Sequence, residues 1–187
     1  MNKITVLNGG PHKAGKTMTL VNEVLSVISN KNISIKIHHI NSKSITGCQG
    51  CFGCKKDGVC VLKDDMQEIY QDIEESECII FATPVYIWQM TAQTKLVIDR
   101  LYAYMKQDYT SFLAPGKKVI FIATFGGGSF DQYHNYFNST CKSLSLLGFG
   151  DYKVLLTGGL KDSSDLSSRT DVISEAQSIG EWLSITY

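Results

Sequence analysis

The sequence predicts an α/β fold in which a doubly wound parallel sheet is covered by helices on both faces. Three observations carry that expectation. Apolar, β-branched runs alternate in strict order with longer amphipathic segments, five of each, the rhythm of strands joined by crossover helices. The third run, ECIIFAT at residues 77–83, is apolar on both faces, as strands between two helical layers are. A glycine-rich turn follows the first run and leads directly into the first amphipathic segment.

Residues 3–8 read as the first buried strand. Residues 17–29 read as a helix with Leu20, Val21, Val24, Leu25 and Ile28 on its inner face. Ile33, Ile35 and Ile37 alternate in a second strand, and a loop rich in Gly, Cys and Lys occupies residues 41–63. Asp64 and Asp65 then stand where a helix begins, ahead of the periodic Met66, Ile69, Tyr70 and Ile73. The third strand at 77–83 leads to a helix at 91–104 and a fourth strand at 117–125. A helix at 131–147 is stopped by Gly148, and a fifth strand covers 152–157. A polar loop at 158–168 precedes the last helix at 169–184. No repeat or linker interrupts this order, so residues 1–187 are expected to form one domain.

Composition narrows the function classes. Of 187 residues, 43% are hydrophobic and 19% charged, with 18 basic side chains against 18 acidic ones. Nothing concentrates the basic residues into the patch that nucleic acid or an anionic membrane requires. The N-terminal apolar run is too short for a signal peptide, and no run reaches the ~20 residues of a membrane span. A cytoplasmic location is therefore expected, with the six cysteines mostly reduced.

In such folds ligands gather beyond the carboxyl ends of the strands, here the loops NGGPHKAGKT, TPVYIWQM and TFGGGSF. The first satisfies the phosphate-loop pattern G-x4-G-K-[ST] through Gly10, Gly15, Lys16 and Thr17. Backbone N–H groups of a glycine-rich turn and the positive end of a helix hold an anion well. A nucleoside triphosphatase also needs a carboxylate near a neighbouring strand end to hold Mg²⁺. ECIIFAT and VIFIATF are followed by none, and Pro11 removes one amide from the loop. In the second loop, Tyr86 and Trp88 place large aromatics where a flat ligand would stack.

NGGPHKAGKT, CQGCFGC, VCVLKDDM and ATPVYIWQMTAQTKLVIDRLY, in that order, resemble the flavodoxin-like NAD(P)H-dependent FMN reductases. They are most similar to the iron–sulfur flavoprotein branch. The resemblance implies five parallel strands in the order 2-1-3-4-5, non-covalent FMN, and a homodimer or homotetramer. It assigns Gly10, Pro11, His12, Lys16, Thr17 and Met18 to the phosphate end of FMN. The family's first loop usually reads G-S-P-R-x-x-G-N-T, so Gly10, His12 and Lys16 depart from its serine, arginine and asparagine, while Thr17 matches. Pro84, Val85 and Tyr86 match the family's P-V-Y against the flavin ring, with Ile87, Trp88 and Met90 close behind. Thr124, Gly126 and Gly127 fall in the third flavin loop.

Cys48, Cys51, Cys54 and Cys60 have the spacing C-x2-C-x2-C-x5-C. Two successive C-x2-C steps suit three corners of a cubane, with Cys60 returned by the Asp57-Gly58 turn as a fourth ligand. The resemblance implies a 4Fe–4S cluster; reduced thiols and a zinc site stay open as alternatives. Cys78 and Cys141 read as core residues. His38, His39 and His134 are expected to be structural, without paired ligands. The expected activity is an FMN-dependent oxidoreductase taking electrons from NAD(P)H or a low-potential carrier. It would deliver them to a small-molecule or protein acceptor, with a cluster as a relay. A non-enzymatic FMN carrier or redox sensor, and a phosphate-loop nucleotide-binding protein, are the other readings.

Overall fold

The computed structural model describes residues 2–29, 32–160, 166 and 168–184. Its elements are β1 (Asn2–Asn8), α1 (Lys16–Ser26), β2 (Ile33–His39), α2 (Met66–Glu75), β3 (Cys78–Tyr86), β4 (Gln89–Met90), α3 (Ala92–Arg100), β5 (Lys117–Thr124), α4 (Phe130–Leu144), β6 (Phe149–Thr157) and α5 (Thr170–Ser184). Residues 161–165 and 167 of the expected polar loop lie outside the described residues.

Five strands form one parallel sheet in the order β2-β1-β3-β5-β6. Counting those five alone, this is the expected 2-1-3-4-5. The sixth strand, β4, is two residues long and pairs antiparallel with the end of β3. No alternating apolar run announces it, because it is one arm of a tight hairpin.

Side-chain alternation along each strand feeds two cores. Ile79, Phe81, Val119, Phe121 and Ala123 meet the helices α2, α3 and α4 on one face. Ile4, Val6, Ile80, Ala82, Ile120 and Ile122 meet α1 and α5 on the other. Phe81 stacks on Phe121 at 4.8 Å between centroids, and Phe137 of α4 tilts onto Phe121 at 5.4 Å. Cys78 and Cys141 are buried in these cores, as expected. Burial raises both thiols, Cys141 to about 12, so both stay protonated at neutral pH.

Helices α1 and α5 touch closely because position 180 is glycine. A Cβ there would lie 2.4 Å from the Val24 carbonyl oxygen. The expected helix at 91–104 ends as α3 at Arg100 and tightens into a 3₁₀ turn at Leu101–Tyr104. That turn carries the surface on which the cysteine loop rests.

Candidate functional site

The first loop is held by the last residue of β1. Asn8 is buried, its Oδ1 accepts from the Gly10 N–H at 2.9 Å, and its Nδ2 donates to the His12 carbonyl at 3.0 Å. Gly9 donates to the Ala82 carbonyl at 2.9 Å, and a Cβ on it would lie 1.9 Å from Thr94 Oγ1. No side chain fits there. Helix α1 starts at Lys16 with Gly15 as its N-cap and no capping side chain. Its first internal bond runs from the Thr19 N–H to the Gly15 carbonyl at 3.0 Å. The N–H groups of Lys16, Thr17 and Met18 precede that bond and suit an anion.

A cavity of about 430 Å³ opens at this helix end, lined by Gly10, Pro11, His12, Lys16, Thr17 and Met18 together with Pro84, Tyr86 and Thr124. Parts of all three expected loops therefore meet at one sheet edge. The volume is in the range that holds a small cofactor. Two side chains expected to face a phosphate have other partners. The Lys16 ammonium donates to the Leu160 carbonyl at 2.6 Å, and the Thr17 and Thr124 hydroxyls share a buried bond of 2.7 Å. Thr17 thus ties the first loop to the end of β5.

The second loop is a two-residue hairpin. Val85 pairs with Met90 and Tyr86 with Gln89, leaving Ile87 and Trp88 as the turn. Both are left-handed, with φ of 45° and 64°. Such turns normally take Asn-Gly, and a β-branched residue there is a true outlier, strained by about 1–3 kcal/mol. Ile87 is 80% exposed and Trp88 61%. The turn is anchored from behind by threonines: the Thr91 N–H donates to Thr83 Oγ1 at 3.1 Å, and Thr91 Oγ1 donates to the Gly9 carbonyl at 2.8 Å.

In the third loop, Phe125 is buried against Tyr133, 4.7 Å between centroids, and Tyr133 donates to the Gly127 carbonyl at 3.1 Å. Gly126 and Gly127 are exposed, with open space where side chains would stand.

Cys48, Cys51, Cys54 and Cys60 all line one small cavity with Arg100, Tyr102 and Ala103 at its base. Asp57 and Gly58 make the turn that returns Cys60: the Gly58 N–H donates to the Cys54 carbonyl at 2.8 Å and the Val59 N–H to Asp57 Oδ1 at 3.0 Å. Burial raises the Cys54 thiol. Among the described residues, the one set of three or more His, Cys, Asp or Glu side chains with ligand atoms within 4.8 Å of each other is His38, Glu68 and Asp72. No three of the four cysteine sulfurs lie that close to one another. A single zinc with sulfurs at about 2.3 Å holds them within about 4 Å of each other, whereas a polynuclear cluster spreads its ligands over separate corners. Cys48 also borders a second concavity of about 470 Å³, between α3 and the end of α4.

Two polar groups escape a reading of the sequence. His38 does have a partner: it lies buried on β2 with Nε2 2.6 Å from Asp72 Oδ2, and Lys3 contacts the other Asp72 oxygen. Burial lowers His38 despite Asp72, while Lys3 and His38 more than offset the effect of burial on Asp72 and hold it below the usual carboxylate range. Arg100 is 1% exposed and makes a two-pronged pair with Asp64, at 2.7 and 3.2 Å. Asp64 also accepts from the Thr46 and Met66 N–H groups, so it secures the cysteine loop and the start of α2 together. The Asp64-Asp65 pair was legible as a helix start, but its buried cation, 36 residues away, was not.

A doubly wound sheet with a glycine-rich first turn at a helix start and an aromatic second loop defines a flavodoxin-like protein. The solved NAD(P)H:quinone oxidoreductase of Methanothermobacter marburgensis shares the fold, with a TM-score of 0.73 over 98% of this chain and 97% of that one, at 15% identity. The family model described as NADPH-dependent FMN reductase matches residues 2–139, and the protein belongs to that family. An iron–sulfur flavoprotein of Archaeoglobus fulgidus is 32% identical over 142 residues, 76% of this chain and 63% of that protein. An iron–sulfur flavoprotein of Methanocaldococcus jannaschii is 31% identical over 138 residues, 72% and 71% of the two chains. The alignments thus span 63–71% of the length of these relatives. Among the described residues no helix is long and apolar enough to cross a membrane.

Proposed function

We propose that the protein is an FMN-dependent oxidoreductase that takes reducing equivalents from NAD(P)H and passes them to a small-molecule or protein acceptor. The observation that carries this reading is the cavity of about 430 Å³ at the start of α1, walled by the phosphate-type turn on one side and by Pro84 and Tyr86 on the other. FMN, when bound, supplies the hydride and electron chemistry. The chain's own residues bind and orient it. When FMN is bound, the backbone N–H groups of Lys16, Thr17 and Met18 would hold its phosphate, with Lys16 adding its charge on release from Leu160. Pro84, Val85, Tyr86, Ile87 and Trp88 would pack against its ring, and Gly126 and Gly127 would offer it backbone N–H groups.

The strained hairpin is part of this reading. Strain of that kind persists where the surrounding structure over-determines it, commonly at ligand sites. The half-exposed Tyr86 and more exposed Trp88 leave room for a nicotinamide to stack. Ile87 and Trp88 also offer apolar surface for a second copy of the chain, in line with a homodimer or homotetramer. Cys48, Cys51, Cys54 and Cys60 would hold a 4Fe–4S cluster as an electron relay. That no three of their sulfurs lie within 4.8 Å of one another supports that choice over zinc. Reduced cysteines of this kind belong in a reducing compartment such as the cytoplasm.

The test is purification without oxygen followed by absorption spectroscopy and NAD(P)H oxidation. Flavin bands that bleach on adding NADPH or NADH are expected, with Lys16→Ala weakening FMN by about tenfold, the scale of one charge-assisted hydrogen bond. Riboflavin, which lacks the phosphate, should bind both proteins equally. Protein that neither retains FMN nor takes it up on reconstitution would remove the reading. Flavin that nicotinamides do not bleach would leave an electron carrier instead.

A further inference from the structure

Arg100 is the most unusual side chain outside the flavin edge. It is one of two arginines in the chain and ranks first by size among the fully buried side chains. Four of its five N–H donors lie on the terminal nitrogens, and those nitrogens face the Thr46 carbonyl at 2.7 Å and the Asp64 carboxylate at 2.7 and 3.2 Å. The fifth, Nε–H, is buried with no acceptor among the described residues. A buried donor on a charged group is costly when nothing accepts from it, so such a group calls for an explanation.

The surroundings narrow what that acceptor is. Arg100 lines the small cavity with all four cysteines of the loop. Its guanidinium carbon stands 5.9 Å from the centre of the Tyr70 ring, and the Tyr70 hydroxyl is already donated to the Arg100 carbonyl at 2.7 Å. Burial works against the Arg100 charge, and Asp64, Tyr70 and Cys60 act in its favour. Of the groups at this end of the cavity, sulfur is the one that gains from an added donor. Four thiolates with their metals carry net negative charge, and N–H groups aimed at sulfur make reduction easier.

We propose that Arg100 Nε–H donates to a sulfur of a cluster held by Cys48, Cys51, Cys54 and Cys60, and so raises the cluster's reduction potential. The inference rests on the cluster part of the proposed function. It makes Arg100 a positioning residue rather than a ligand. The pair with Asp64 keeps the guanidinium fixed and neutralises most of its charge, which leaves the directional N–H as the tuning element.

The test uses anaerobically purified full-length protein containing arginine labelled with a magnetic nitrogen isotope. Iron and sulfide are assayed first, and the reduced protein is then examined by pulsed electron paramagnetic resonance. Coupling between the cluster and labelled nitrogen is expected, and it can be assigned to Arg100, because Arg169 pairs with Asp171 at the start of α5 instead. Arg100→Lys keeps the charge and removes Nε, so it should lose the coupling and shift the midpoint potential downwards at unchanged iron content. A cluster present with no nitrogen coupling in the unaltered protein overturns the assignment of Arg100 alone, and this result does not depend on any variant folding. An unchanged potential in Arg100→Lys overturns it as well. Absence of iron and sulfide overturns the cluster reading itself, and the inference with it.

Discussion

Ile87 is where a single residue shows most clearly the strain held in the second loop. At φ of 45° and 80% exposed, its side chain contributes little burial while its backbone is strained. Replacing it by glycine removes strain of about 1–3 kcal/mol and adds back about 0.5–1 kcal/mol of unfolded-state freedom. Ile87→Gly should therefore stabilise the protein by about 1 kcal/mol, a rise of roughly 2–4 °C in Tm for a chain of this size. FMN affinity should fall severalfold, because the looser turn no longer presents Tyr86 and Trp88 in one orientation. Thermal denaturation and flavin titration check both halves; a lowered Tm would mean that the Ile87 side chain is packed against a second copy. TPVYIWQM marked this turn in the sequence through its aromatics, but the strain did not show there. It arises from the pairing of Val85 with Met90, a register that only the folded hairpin defines. The same limit applies to Arg100, whose surroundings come from residues 46, 64 and 70. Lys16 is a further case: its match to the phosphate-loop pattern is plain, yet its ammonium reaches Leu160 across 144 residues.

At the scale of elements, the long apolar periodicities were legible and the joints between elements were not. Leu20, Val21, Val24, Leu25 and Ile28 all sit in the core as the helical spacing requires. Gly148 ends its helix with φ of 93°. By contrast, nothing in the sequence announced the partner at the end of β2: His38 turns inward to meet Asp72 of α2, while Lys3 of β1 meets the same carboxylate. Strand, strand and helix are thus joined by one buried polar group. Glu68 lies beside it, paired with Lys36 and Lys43 and lowered to about 2 by those lysines, and Glu75 contacts Lys3. His38 and Asp72 are both held below their ordinary values, so the unfolded chain binds more protons than the folded one as pH falls. Stability from this joint is complete above about pH 6.5, the ordinary value for histidine, and is lost progressively below it as His38 and then Asp72 take up protons. Urea midpoints should be level from pH 8 to about 7 and fall by pH 5.5. His38→Gln should flatten that first decline and leave the carboxylate-linked loss nearer pH 4. An unaltered slope between pH 7 and 5.5 in the variant would place the proton uptake elsewhere.

At the scale of the whole molecule, the two sides of the sheet divide the work. Helices α1 and α5 close one core, and Cys54 and Cys60 of the cysteine loop pack against the other, so ligand occupancy at the shared sheet edge should be felt as global stability. A ligand that binds only the folded chain adds about 2.7 kcal/mol at one hundred times its Kd, equivalent to roughly 5–11 °C in Tm for 150–250 residues. FMN should produce that shift, and riboflavin a smaller one at the same concentration, since it leaves the N–H groups at the start of α1 without an anion. ATP with Mg²⁺ should produce none. The strands flanking the cavity end in Pro84-Val85-Tyr86 and in Thr124 followed by Phe125, so no carboxylate is placed there for the metal, and the second loop fills that space with aromatic rings. A comparable rise with ATP and Mg²⁺ would restore the triphosphatase reading of GPHKAGKT. A rise with FMN alone would assign this turn to a flavin phosphate, with the match to the nucleotide pattern reduced to shared backbone chemistry at a helix start.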